Sequence, residues 1–302
     1  MAPSGWKVAL EERSSVMSEL MQQQLLQLYG VIGYPLGHSM SPLVHNTAFR
    51  TLGIPGVFFS WPIEPARLPA FVEAVRTLGI RGCSVTIPHK IALLPLLDDM
   101  TDRVRIMGAA NTIFWRDGLL CGENTDVLGF IRPLKTLGLS SDMRVLLLGA
   151  GGAAHAAAVG LQSLGLKDIV VTSPTLAHAE SLASRFGMRA VPWERRKQRA
   201  ELIVNTTPLG MHGIHQQETP YPEEAFGDSG IAYDIVYTPV RTRFLQEAER
   251  AGWHTVEGLE MFIGQGDAQF YLWTGQHLPG EAREAVLKAL SSGPTGGQNG
   301  TT

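Results

Sequence analysis

Lys90 and Asp126 are the two charged side chains whose surroundings suggest proton chemistry. Lys90 closes the run Ser84-Val-Thr86-Ile-Pro88-His-Lys90, and Asp126 closes Gly122-Glu-Asn-Thr-Asp126, downstream of Asn111-Thr112. A lone lysine is usually a solvated cation and a lone aspartate usually a helix cap. If the two meet, an ammonium beside a carboxylate can hold a substrate hydroxyl and move its proton. Hydroxyls crowd the same region. Ser39 and Ser41, in Gly37-His-Ser39-Met-Ser41-Pro42, stand two residues apart at a helix start and could grip a small anionic polyol. Ser41 could equally be the N-cap ahead of a proline at the first helical position. Ser84 and Thr86 share one face of an alternating strand.

A second kind of chemistry belongs to Gly149-Ala150-Gly151-Gly152-Ala153-Ala154. It follows the apolar run Val145–Leu148 and opens a helical pattern, matching G-x-G-x-x-[G/A] in the context that motif requires. Gly149 permits the tight turn, Gly151 lets backbone approach a pyrophosphate, and Ala154 lets the helix pack close on the strand. The phosphate charge then meets free N–H groups at the helix start. The end of the following strand ordinarily selects the cofactor, by an acid for NAD or an arginine for NADP. Here it reads Thr172-Ser173-Pro174-Thr175, with His178 one turn on, and residue chemistry alone leaves both open.

These residues need an α/β scaffold, and the patterning supplies one. Short apolar runs alternate with helical periodicity over most of the 302 residues, which implies a mostly parallel sheet with helices on both faces. Strands are expected at 28–33, 57–61, 82–87, 144–148, 169–172, 190–192, 202–205, 232–236 and 255–256. Helices are expected from Ser41 to Gly53, over 68–78, from Lys90, and over 125–137, 152–164, 176–186 and 241–251. A helical pattern then runs from Gly258 through Thr274, with a last helix at 280–290. Asp117-Gly118 between 110–115 and 119–121 is a hairpin signal. Residues 1–26 form a Gln-rich lead-in, and 292–302 have the composition of a flexible tail.

Composition narrows the function. With 44% apolar and 18% charged residues, the balance is that of a globular protein, and the length suggests two domains. A net charge of -3 offers no basic surface for nucleic acid or acidic lipid. The nearly charge-free stretch Val145–Leu166 is long enough for a membrane span, but five glycines fall within it, so strand, turn and helix are expected instead. The N-terminus reads without a signal-peptide core, and a cytoplasmic location is expected. Two cysteines, Cys83 and Cys121, support neither a disulfide framework nor a zinc knuckle and are expected to be buried. The one close histidine pair, His212-Gly-Ile-His215, is expected in a polar loop without a carboxylate beside it, and no metal is expected.

Taken together and in order, eight segments resemble the shikimate dehydrogenase family: Gly-His-Ser-Met-Ser-Pro, Val-Thr-Ile-Pro-His-Lys, Gly-Ala-Ala-Asn-Thr, Glu-Asn-Thr-Asp, Gly-Ala-Gly-Gly-Ala, Asn205-Thr-Thr-Pro-Leu-Gly-Met211, Tyr233-Asp-Ile-Val-Tyr237 and Gly258-Leu-Glu-Met-Phe-Ile-Gly-Gln265. They span about residues 28–290. The resemblance implies an N-terminal α/β substrate domain over 27–126, completed by C-terminal helices at 259–291, and a Rossmann-type doubly wound dinucleotide-binding domain over 127–258. It implies reversible NADP-dependent reduction of 3-dehydroshikimate to shikimate, with no nucleic acid or membrane partner, by a monomer or homodimer. Lys90 and Asp126 would be the catalytic pair. Ser39 and Ser41 would bind the shikimate carboxylate, and Thr86, Asn111 and Gln265 its ring hydroxyls, with Tyr237 close by. Gly149, Ala150, Gly151, Gly152 and Ala153 would hold the pyrophosphate. Asn205, Thr206, Thr207, Met211, Val236 and Gly258 would border the ribose and nicotinamide, and Ser173, Thr175 and His178 the adenosine end. Two departures stand out. Many members carry asparagine where Ser84 stands. The family's NADP clamp, Asn-Arg-Thr with another Arg or Lys three residues later, is here Ser173-Pro174-Thr175 with His178. Quinate/shikimate oxidation with NAD, and a non-catalytic shikimate-binding relative, are the alternatives.

Overall fold

The computed structural model describes residues 26–37 and 39–292. His38 and nearly all of the expected lead-in and tail lie outside the described residues.

Two six-stranded sheets organise the chain. The first begins with β1 (Gln27–Gly33), α1 (Ser41–Leu52), β2 (Gly56–Pro62), α2 (Leu68–Thr77) and β3 (Gly82–Val85). Next come a one-turn α3 (His89–Ala92), β4 (Asp99–Met100), α4 (Asp102–Met107), β5 (Thr112–Arg116) and β6 (Leu119–Glu123). Strand order is β2-β1-β3-β5-β6-β4. β1 pairs parallel with β2 and β3, but β5 runs antiparallel to both β3 and β6, so this sheet is less parallel than the patterning implied. The reason is the Asp117-Gly118 turn: both residues take positive φ, 52° and 78°, as a two-residue hairpin of matching twist requires. Gly53 ends α1 at φ 64°, as expected, but the expected serine cap is not formed. Met40 occupies the cap position and Ser41 is already helical.

α5 (Thr125–Leu134) leads into the second sheet: β7 (Arg144–Leu148), α6 (Gly152–Ser163), β8 (Asp168–Ser173), α7 (Leu176–Phe186), β9 (Arg189–Pro192), β10 (Leu202–Asn205), β11 (Ile231–Asp234), α8 (Arg243–Arg250) and β12 (His254–Val256). All its pairings are parallel, in the order β12-β11-β10-β7-β8-β9. Numbered from β7, that is the doubly wound 3-2-1-4-5-6 arrangement, with its switch point between β7 and β10. Val145, Leu147, Ile169, Val171, Leu202 and Val204 feed the core on one side of this sheet, and Leu146, Leu148, Val170 and Ile203 the core on the other. That two-sided burial explains the charge-free run that resembled a membrane span. Among the described residues no helix is long and apolar enough to cross a membrane.

α9 (Gly258–Thr274) and α10 (Gly280–Ser291) close the chain. Both return to α1, and α9 also lies against β5 and α5. The α5/α9 crossing is close because Gly129 has no side chain: a Cβ there would fall 2.5 Å from the Met261 carbonyl oxygen and 2.6 Å from the Gln265 nitrogen.

Candidate active site

A cavity of about 540 Å³ opens where the carboxyl ends of β1 and β3 face α9. Ser39, Ser41, Thr86, Lys90, Asn111, Asp126, Tyr237 and Gln265, all singled out in the sequence, line it together. Ser39 sits in the loop after β1, and its Oγ accepts the Ser41 N–H at 3.2 Å. Thr86 leaves β3 with its N–H on the Ile32 carbonyl, and Lys90 follows one turn later on α3.

Lys90 Nζ donates to Asp126 Oδ2 at 2.6 Å, with both side chains partly exposed to the cavity. Asp126 occupies the first turn of α5, where the helix dipole favours a negative charge. Its other oxygen, Oδ1, accepts Asn111 Nδ2 at 2.8 Å. Asn111 is spent inside the protein: Nδ2 also reaches Thr125 Oγ1, and Oδ1 accepts from the Thr125 N–H at 2.7 Å and the Thr112 hydroxyl at 2.8 Å. Its clearest job is therefore to aim Asp126. Tyr237 stacks on Phe262 at 4.8 Å, and burial raises its phenol above the usual range. Gln265, whose amide nitrogen donates to the Phe262 carbonyl at 3.0 Å, lines the cavity.

Ser84 is buried, and its hydroxyl donates to Gln269 Oε1 at 2.8 Å. Gln269 in turn donates to Thr112 Oγ1 at 3.0 Å. A chain of buried hydrogen bonds thus runs Ser84, Gln269, Thr112, Asn111, Asp126, each pointing its proton toward the carboxylate. The sequence reading missed Gln269. The available signal was its spacing, four residues after Gln265 and so on the same helix face.

The glycine loop is built as its motif requires. Gly149 adopts φ 109°, and a Cβ there would lie 2.5 Å from Thr206 Oγ1. Gly151 and Gly152 have open space where a side chain would stand. The first N–H groups of α6 have no partner within the helix, so the loop offers donors and room for a pyrophosphate. Ala150 and Ala153 flank it, half-buried, while Thr206 donates its hydroxyl to the Leu148 carbonyl. Asn205 and Thr207 bond to each other rather than into open space. Met211 is exposed, Val236 is buried, and Gly258 packs against the Ile235 and Val236 carbonyls. At the end of β8 Ser173 is buried, whereas Thr175 and His178 are exposed and no Arg or Lys falls within 172–178. Thr175 precedes α7 without a side-chain cap bond, so its hydroxyl is unengaged there.

Cys83 and Cys121 are buried and free. Among the described residues no group of three or more metal-ligating side chains forms. His215 does have a carboxylate beside it, contrary to expectation: Glu218, three residues on in the same loop, lies 2.7 Å away.

Comparison with known proteins bears on this geometry. Residues 31–113 match the family model of the shikimate dehydrogenase substrate binding domain, and 258–290 that of the shikimate 5'-dehydrogenase C-terminal domain. Shikimate dehydrogenase (NADP(+)) of Pelobacter propionicus is 58% identical over 268 residues, 88% of this chain and 97% of the relative. A crystal structure of shikimate 5-dehydrogenase from Thermus thermophilus in complex with NADP(H) and shikimate superposes with a TM-score of 0.79. It is 38% identical and covers 87% of this chain and 99% of that one. Quinate dehydrogenase from Corynebacterium glutamicum in complex with NAD superposes with a TM-score of 0.81 at 29% identity, covering 87% of this chain and 99% of that one.

Proposed function

The chain belongs to the shikimate dehydrogenase family, and on that premise we propose that it interconverts shikimate and 3-dehydroshikimate with NADP(H), Lys90 and Asp126 acting on the C3 oxygen. The observation that carries this reading is the 2.6 Å Lys90–Asp126 pair in the cavity wall, with every other polyol-binding candidate around it. When bound, the nicotinamide supplies or accepts the hydride. The protein's part is to orient the ring and move one proton. Lys90 holds the C3 oxygen and stabilises the negative charge that grows there during reduction. The proton passes through Lys90, directly or across the Lys90/Asp126 pair. Asp126 is kept in place by Asn111 and the buried chain behind it. Ser39 and Ser41 take the carboxylate at the start of α1, and Thr86, Tyr237 and Gln265 surround the ring. The loop Gly149–Ala153 takes the pyrophosphate.

This assigns a substrate-binding unit to 27–126 with 259–291, and a dinucleotide-binding unit to 127–258. α5 bridges the first boundary, since it starts at Thr125. The enzyme would work in the cytoplasm, as a monomer or homodimer. The absence of a cation at 172–178 favours NAD as a second cofactor. Lys90→Ala tests the central assignment. Steady-state kinetics should give a kcat lowered by about 10²–10⁴-fold with a much smaller change in shikimate KM, because the contact strengthens in the transition state. Undiminished turnover in that variant would remove Lys90 from the mechanism.

A further inference from the structure

At the carboxyl edge of the second sheet, β10 and β11 end side by side, with Asn205 opposite Asp234 in register. Both residues are fully buried. Three donors converge on the Asp234 carboxylate. Asn205 Nδ2 and the Val236 N–H reach Oδ1 at 2.9 and 3.0 Å, and the Thr242 hydroxyl reaches Oδ2 at 2.6 Å. Each donor leads to a different part of the frame around the two ligands. Asn205 opens the cofactor-side loop: its other amide hydrogen goes to the Leu209 carbonyl, and its Oδ1 takes both the N–H and the O–H of Thr207. Val236 opens the segment that carries Tyr237 into the substrate cavity. Thr242 caps α8 through the Leu245 N–H. Gly258 holds the Tyr237 segment from behind, since a Cβ there would lie 2.5 Å from the Ile235 and Val236 carbonyl oxygens. Gly258 is also the first residue of α9, which bears Gln265.

A buried carboxylate is costly unless its hydrogen bonds offset the loss of water. Burial pushes the Asp234 carboxyl up to about 7, against the pull of its three donors. Such a fully buried group, placed where the loop after β10 and the segment of Tyr237 meet, suits a geometric role. Hydride transfer is demanding of geometry: reacting atoms must come within about 3–3.5 Å, and an error of about 1 Å can cost about 10²-fold.

We propose that Asp234 is a positioning residue for hydride transfer, its carboxylate tying the cofactor-side loop Thr206–Met211 to the substrate-side segment of Tyr237 and so setting how the two ligands meet. The proposal rests on the dehydrogenase reading above. It is tested by measuring kcat and KM for shikimate oxidation with NADP in the wild type, Asp234→Asn, Thr242→Val and Thr242→Ser. Shikimate binding without cofactor is measured alongside by calorimetry. Asp234→Asn and Thr242→Val should each lower kcat by about 10-fold or more, with the cofactor-free shikimate dissociation constant changed by less than about 2-fold, well short of the kcat effect. Thr242→Ser, which keeps the hydroxyl, should restore turnover. A kcat within about 2-fold of wild type in both disruptive variants overturns the proposal, because a misplacement cost of that size is absent. So does a loss of shikimate binding that matches the loss of kcat, since that marks general disorder of the fold. If Asp234→Asn does not fold, Thr242→Val decides, because it leaves the carboxylate in place. A wild-type chain that fails to oxidise shikimate overturns the functional reading and this proposal together, whereas an active wild type with unaltered variants overturns this proposal alone.

Discussion

Lys90 and Asp126 lie 36 residues apart in the chain and 2.6 Å apart in space. Their types and flanking hydroxyls were legible in the sequence, but their meeting was not, because it depends on how α3 and α5 pack. The same holds for Asn111: its position was evident, whereas its commitment to Thr112, Thr125 and Asp126 emerges only from three-dimensional contact. Gln269 escaped notice because a buried glutamine on an apolar helix face has no motif of its own. The turn after β8 makes the sharpest prediction at this scale. Ser173-Pro174-Thr175 lacks the planar cation that reads a 2′-phosphate. Pro174→Arg should raise the NADP-over-NAD ratio of kcat/KM by about 10- to 100-fold, the effect of one charge-assisted contact of about 1.5–3 kcal/mol. An unchanged ratio would mean that the phosphate does not lie beside this segment. Asp234 makes a second prediction. Its carboxyl is raised to about 7 in the fold, so the folded form holds this proton more tightly than the unfolded chain does. The resulting stabilisation is full below about pH 4, near an unfolded carboxyl, and is lost as pH rises through about 7. Thermal melts should therefore show wild type losing stability relative to Asp234→Asn between about pH 4 and pH 7; a pH-independent difference would contradict the raised value.

At the scale of elements, strongly periodic helices and apolar strands were readable nearly to their ends. The misses were short or unusual pieces. β4 has two residues and α4 six, too few for periodicity to register. The antiparallel course of β5 was implicit in the Asp117-Gly118 turn, but alternation of strands and helices pointed to parallel pairing. Ser41 looked like a cap because its type and the following proline suit one, yet the helix starts one residue earlier in register. The α5/α9 crossing could not be inferred, because only contact reveals why Gly129 must be glycine. Gly129→Ala should force these helices apart, destabilising the protein by about 1–3 kcal/mol in denaturant unfolding. Because the clash falls on Gln265, shikimate KM should rise as well. A variant with wild-type midpoint and KM would show that the crossing relaxes without consequence.

At the scale of the whole molecule, length suggested two domains, and the described residues form two six-stranded sheets whose parts do not follow chain order simply. One sheet is built from the first part of the chain, and the helices packed against it return from the last part. The 33 glycines of the chain include several in the turn before α6 and others where helices end or cross. The mild net charge is compatible with the proposed anion sites made of helix starts, hydroxyls and one lysine. The proposed reaction would draw on both sheets, since the cavity lies mainly at the first, with Tyr237 entering it from the second, and the glycine loop follows β7 of the second. The most direct measurement is therefore a four-way comparison of kcat/KM for shikimate and quinate, each with NADP and NAD. Shikimate should be the preferred substrate with either cofactor, and NADP should be preferred over NAD by less than an arginine clamp would give. No turnover of shikimate, or a higher kcat/KM for quinate with NAD, would contradict the account.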